Sequence, residues 1–582
     1  MEERRASLDF ETDSDDDEFE TELFLSPPEA KKIVAEAEHG YDRRPFEDAL
    51  RKVGVFGPYQ WCFAAALQVT MVLACGNTVF MAYSTYLPKV HCRLLNDTID
   101  LRSNREKFCS AFAAGNCSKI EFEAPFRTII EEWELLCDRD HIPELLNSLQ
   151  VFGTVLGLAL TGYLSDSFGR RRAYVGSCAL FVTATAIAAA APTWTSFALC
   201  RFVVGNVVES TCALIFVWSL EQTDQRNAVI LNLASHWPIA YMVTAGLARA
   251  TSAWRLYLAS LVVVGAPLLL VVPFLFAESP RWLIQHHRLE EATEALRKIA
   301  RVNQRATEEL TAQSLEHIAI EQVQRGSLRL LLFSNRRITF YVALVSLQLI
   351  AAGIAGATFL LEVSRLEGSP FLKFFCYGLL RVFVSVSIFL ADRCLPWFGR
   401  RHMTVLPMAL VMTCFGAAYV VASMDRRGEQ SPAVFCAILG GAASCNYLWV
   451  AVGQYSVELF PTNLRSTATN FISLTNVFAV MFVPSLIYLE DRLPSLPFLV
   501  TFFAASLALG LGAIFLPETK GKPVPDTLED VMRIESAQSG GRSAGAGSAE
   551  AIRLQRHGHK RRTKLENGSR LTEELEVEQL LD

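Results

Sequence analysis

The chain has 582 residues, 51% of them hydrophobic, with a mean hydropathy of +0.26 and a formal net charge of −6. A chain this apolar that still carries long polar tails excludes an ordinary water-soluble protein. The small net charge hides an asymmetry: the N-terminus is acidic, whereas short loops between apolar runs are rich in arginine, and no nucleic acid is expected as a partner.

Residues 1–45 read as a cytoplasmic tail. Its run Asp13-Ser14-Asp15-Asp16-Asp17-Glu18 cannot bury a core and is expected to be disordered. Met1 to Tyr41 contains no apolar stretch of the signal-peptide kind, so the first membrane helix is expected to direct insertion itself. Twelve apolar runs then follow, each long enough to cross a bilayer. They are expected near 61–83, 143–164, 173–191, 196–220, 228–248, 256–276, 338–361, 371–391, 403–423, 432–455, 467–488 and 497–516. The pattern predicts an all-α membrane protein: a six-helix unit over 46–276, a charged helical linker over 277–337 and a second six-helix unit over 338–517. Residues 518–582 form a second cytoplasmic tail, expected to be disordered.

An even number of spans puts both termini on one side. Arginines fix which side: Arg170 to Arg172, Arg281, Arg336, Arg337, Arg400 and Arg401 all fall on the inner face. The one long polar loop, 88–142, is then outside. It holds Cys92, Cys109, Cys117 and Cys137, which read as two disulfides with three possible connectivities. It also holds two glycosylation sequons, at Asn96 and Asn116.

The turn between the second and third spans carries an ordered set, Gly162, Asp166, Gly169, Arg170 and Arg171. A looser copy, with Asp392, Arg400 and Arg401, follows more than two hundred residues later, as two repeated halves require. The order G-x-L-x-D-x-x-G-R-R resembles the loop between helices two and three of major facilitator transporters. Further motifs accompany it: Phe56-Gly57, Trp133 to Cys137, Trp254-Arg255, Glu278-Ser-Pro-Arg281-Trp282, Glu458-Leu-Phe-Pro461-Thr462-Asn-Leu-Arg465 and Pro517-Glu518-Thr519-Lys520. Together they resemble the organic cation, organic anion and carnitine transporters, solute carrier family 22, over residues 46–530.

That resemblance implies a major facilitator fold of two six-helix bundles around a central site, open alternately to either side. It implies gating roles for Gly162, Asp166, Gly169, Arg170, Arg171, Glu278, Arg281, Asp392, Arg400, Glu458 and Arg465. Asp166 is expected to accept from arginines and from the N-terminal amides of a helix in the other half. The family's charged position in helix eleven falls on neutral Val477, beside Asn476. This departure marks a divergent member whose substrate does not carry over.

Two charges stand inside predicted membrane helices, Glu209 and Arg381, where ionised groups are paired or functional. Either they pair across the two halves, or they contact a charged or zwitterionic solute. Trp218, Tyr447 and Tyr455 are candidate aromatic walls, Asn476 a candidate polar one, and His236 a candidate for coupled protonation. The leading reading is secondary transport of small organic ions or zwitterions by alternating access. The alternative is a non-transporting receptor or scaffold acting through its outer loop and tails. No P-loop, metal-ligand cluster or nucleophile arrangement stands out, so no enzyme, metal or cofactor is expected. Glu576, Leu580 and Leu581 have the form of an acidic dileucine sorting signal, so the expected plasma-membrane destination has an endosomal or vesicle alternative.

Overall fold

The computed structural model describes residues 53–54, 57–86, 89–93, 98–101, 104–223, 237–306, 315, 331, 336–365, 368–395, 397–424, 432–460, 462–490, 493 and 495–520. Asn96, His236 and the dileucine residues Glu576, Leu580 and Leu581 lie outside the described residues, as does the side chain of Arg465.

The first half contains the long helices α1 (Pro58–Ser84), α4 (Ile142–Phe168), α5 (Arg170–Ala189), α6 (Trp194–Glu221), α7 (Trp237–Thr251) and α8 (Trp254–Leu275). Two short helices of the linker follow, α9 (Pro280–Gln285) and α10 (Leu289–Val302). The second half contains α11 (Arg336–Arg365), α12 (Pro370–Cys394), α13 (Arg400–Met424), α14 (Pro432–Glu458), α15 (Thr462–Val480), α16 (Val483–Leu489) and α17 (Leu496–Phe515). Among the described residues, eleven segments are long and apolar enough to cross a membrane, with α15 and α16 forming one of them. The fifth expected span is described only from Trp237, as the 15 residues of α7. The architecture is that of twelve membrane helices in two bundles.

Close helix contact in the first half rests on small residues. A Cβ on Gly157 of α4 would stand 1.7 Å from the Asn206 carbonyl oxygen of α6, and one on Gly205 would stand 1.9 Å from the Gln150 carbonyl oxygen. Backbones therefore touch there, as no larger residue allows. The halves meet where α7 packs on α12 and α4 packs on α15 and α16.

The outer loop adds a feature that periodicity did not reveal. It folds as a three-stranded antiparallel sheet, order β2-β1-β3, from β1 (Lys89–Arg93), β2 (Thr98–Asp100) and β3 (Lys119–Glu123). The short helices α2 (Arg105–Ala113) and α3 (Ile129–Trp133) flank it. Of the three connectivities, the structure has Cys92–Cys117 and Cys109–Cys137. The bridges span 25 and 28 residues, and a loop of that size gains roughly 3 kcal/mol from each. The loop is pinned to the first bundle by Glu132, which accepts from Trp254 Nε1 (2.7 Å) and Arg255 Nε (3.0 Å). Arg255 also donates to the Ala189 and Ala191 carbonyls. Burial alone would raise the Glu132 pKa, but these hydrogen bonds outweigh it and hold the carboxyl below the usual range.

Candidate functional site

At the inner end of the first half, Arg170 opens α5 and is almost buried. Its Nη1 donates to Asp166 (2.6 Å) and its Nη2 to Glu221 (2.9 Å). Gly169 turns the chain at φ +97°, and a Cβ there would meet Glu278 Oε2 at 2.5 Å. Glu278 instead caps α5, accepting from the Arg171 amide at 2.9 Å. Trp282 Nε1 closes the cluster by donating to the Asp166 carbonyl.

The second half repeats this construction. Arg400 Nη1 donates to Asp392 (2.7 Å) and its Nε to Glu458 (3.0 Å). Glu518 caps α13 through the amides of Arg400 (2.8 Å) and Arg401 (3.2 Å). Lys520 joins Asp392 at 3.3 Å, and Thr519 donates to Glu458. Burial opposes ionisation of Glu518, but the amides around it prevail and hold its carboxyl below the usual range.

The correspondence is residue by residue: Asp166 with Asp392, Arg170 with Arg400, Glu221 with Glu458, Glu278 with Glu518. The helix N-terminal amides expected to bind Asp166 go to Glu278 and Glu518, each in its own half. The reason is local: the turn at Gly169 brings Arg170 within one helical turn of Asp166. Gly162 and Arg281 stay exposed, apart from these bonds, and an added Cβ on Gly162 would touch nothing. Glu221 and Glu518 carry the clusters, yet the sequence reading gave them no site role. A signal existed: Arg170 and Glu221 are 51 residues apart and Arg400 and Glu458 are 58, a near-equal spacing in the two repeats.

Between the clusters and the outer face lies Arg381 of α12. Its Nη2 donates to Asn446 Oδ1 of α14 (2.9 Å) and its Nη1 reaches the Tyr377 hydroxyl (3.5 Å). Its guanidinium sits over the rings of Tyr241 and Tyr377, at 5.5 and 5.4 Å. Tyr241 belongs to the first half and Tyr377 to the second, with ring centroids 5.0 Å apart. Asn446 in turn donates to Ser385, whose hydroxyl donates to the Arg381 carbonyl. Arg381 Nε is buried with no hydrogen-bond partner among the described residues.

Glu209 is half-buried on α6, and among the described residues it forms no ion pair. The pairing of Glu209 with Arg381 is therefore not what this structure contains, because Asn446 and the two tyrosines occupy the guanidinium. Both charges nevertheless act electrostatically on Cys75 and Tyr241, so they flank one region.

Other candidates divide clearly. Trp218 is fully buried against Phe63, Tyr174 and Phe276, a core residue rather than a cavity wall. Tyr455 is also buried, its hydroxyl donating to the Pro517 carbonyl beside the inner cluster. Tyr447 bonds Ser387 and packs near Phe398, toward the inner end of α12. Asn476 is buried against Gly353, and its Oδ1 has no partner among the described residues. Tyr241, Tyr377 and Asn446 were missed as site residues, since neither a tyrosine nor an asparagine in an apolar helix signals its facing partner.

A family model for the sugar (and other) transporters matches residues 139–530. The chain belongs to the sugar (and other) transporter family. Within the major facilitator superfamily it is a divergent member of solute carrier family 22, a membrane transporter and not an enzyme. Solute carrier family 22 member 12 of Rattus norvegicus is 29% identical over 419 residues, covering 70% of this chain and 73% of the relative. Member 6 of Pseudopleuronectes americanus is 27% identical over 440 residues, covering 74% and 75%. The xylose transporter XylE from E. coli, in its inward-open conformation, is a structural neighbour with TM-score 0.54 and 19% identity, covering 81% of this chain and 99% of that one. That likeness concerns the fold alone.

Proposed function

We propose that this secondary transporter moves a small organic ion or zwitterion by alternating access, with Arg381 as its anion contact. One observation carries the reading: a guanidinium in an aromatic cradle between the two halves, with a buried Nε–H left unmatched. A buried donor without an acceptor is costly, and a carboxylate supplied by a solute relieves that cost. Glu209, without an ion pair beside the same region, is the corresponding contact for an ammonium group. The two inner clusters act as the gating elements, since each locks a loop between helices that must shift when the halves rock. The destination that fits the solute carrier 22 relatives is the plasma membrane.

Uptake of a radiolabelled organic cation, an organic anion and carnitine into sealed vesicles tests this. Saturable uptake of the anion or carnitine, lost in Arg381→Ala, is expected. Saturable uptake of the cation alone, unchanged in Arg381→Ala, would overturn the assignment of Arg381. The receptor or scaffold alternative has no specific observation in its favour.

A further inference from the structure

We propose that the outer loop is a working part of the extracellular gate, and that Phe126 is its gating residue. The outer ends of the two halves meet through an aromatic layer. Tyr83, at the end of α1, lies 5.6 Å from Phe371 and 5.0 Å from Phe374 of α12, between ring centroids. Phe126, from the loop, lies 5.9 Å from Tyr83, 6.3 Å from Tyr257 and 6.2 Å from Phe371. All five rings are nearly or fully buried.

The layer stands over the candidate site. Phe374, Tyr377 and Arg381 follow at helical spacing on α12, so they share one face, with the rings outermost. The backbone next to Phe126 is tied to the first bundle. The next amide, Arg127 N, donates to the Ser252 carbonyl (3.0 Å), and Trp254 N donates to the Arg127 carbonyl (3.2 Å). The loop thus moves with the first bundle, while Phe371 and Phe374 move with the second. When the outer ends part, the contact of Phe126 with Phe371 must break.

The layer also contains its own opening bias. The Tyr83 side chain is fully buried, and its hydroxyl has no partner among the described residues. Closure strands that hydroxyl, and opening returns it to water. The rings favour closure and the hydroxyl opposes it, which keeps both states accessible.

Thiol labelling from outside sealed cells tests this without any solute, so the result does not depend on what is carried. Cys75 and Cys445 are buried natural thiols close enough to Arg381 to feel its charge, beneath the aromatic layer. A membrane-impermeant methanethiosulfonate is applied outside, and modification of these two residues is followed by mass spectrometry. Phe126→Ala and Phe371→Ala are each expected to raise the labelling rate about tenfold, and the double variant no further than the stronger single one. Tyr83→Phe is expected to lower the rate about tenfold. Should Phe126→Ala fail to reach the surface, Phe126→Leu keeps the apolar fill without the ring contacts and is expected to raise labelling about threefold. Labelling that rises in Phe371→Ala but not in either Phe126 variant would overturn the role of the loop. A Tyr83→Phe rate equal to or above wild type would overturn the opening bias.

Discussion

Two arginines stand within the membrane helices, Arg201 fully buried and Arg381 half-buried, and their surroundings differ in kind. Arg201, near the outer end of α6, has no exposed surface. Its Nε donates to Gln150 Oε1 (3.1 Å), its Nη1 to Asn77 Oδ1 (3.0 Å) and its Nη2 to the Asn77 carbonyl (2.6 Å). Its guanidinium also lies over Phe80 and Phe197. Arg381 has the same aromatic company but a thinner set of acceptors, and a buried Nε–H without one. Both therefore combine ring faces with hydrogen bonds; they differ in saturation and in burial, Arg201 being fully buried and Arg381 half-buried. A saturated buried cation holds three helices together. The unsaturated one is the solute contact of the function proposed above. Charge inside a membrane helix is thus a functional signal only after its acceptors have been counted.

Substitutions break or sharpen that contrast. The largest effect belongs to Arg201→Ala, which leaves the Gln150 and Asn77 acceptors buried and empty around a cavity. It is expected to destabilise the fold by about 3 kcal/mol or more, read as a lowered melting temperature of the purified protein. Arg201→Lys does little better, because a point charge does not reproduce the planar fork. By contrast, Arg381→Ala is expected to change melting by less than about 1 kcal/mol while reducing saturable anion or carnitine uptake about 100-fold. If Arg381→Ala unfolded the protein and Arg201→Ala left it intact, the contrast would be reversed.

Smaller effects come from sites outside these two arginines. Gly169→Ala forces a Cβ into the left-handed region and against Glu278. It is expected to cost about 1–3 kcal/mol, visible as loss of melting temperature. Glu132 gives the smallest change and has a defined pH sign. Its folded carboxyl is depressed, so its contribution is present above the ordinary carboxylate pKa and is lost as pH falls through the folded value. Melting of Glu132→Gln is expected to lie below wild type at neutral pH, and the gap to close as the medium is acidified below that range.

Much of this was written in the residue order. Apolar runs, inner-face arginines and a turn whose Asp, Gly and Arg recur in looser form lead to a two-half membrane protein, and the resemblance of its motifs adds transport. The clusters around Arg170 and Arg400 were half legible: the basic and aspartate members stand in one motif, while Glu221 ends the distant helix α6 and Glu518 lies in the segment that follows α17. The site at Arg381 was legible only as a charge. One of its two readings paired it with Glu209, because opposite charges are the only pairing a sequence displays, whereas a neutral asparagine and two tyrosines stand beside it in the structure.

What the sequence by itself determined is the presence of long apolar spans, the charge bias of the loops between them and the presence of two repeats. These follow from local quantities, the apolarity of some twenty consecutive residues and the sign of the charges beside them. Only the tertiary structure decided which cysteines pair, that the outer loop forms a sheet, that Trp218 is core, and that Arg201 is saturated while Arg381 is not. Each of those depends on acceptors and rings brought in from other helices, and contact geometry between distant segments is not a property of any one of them.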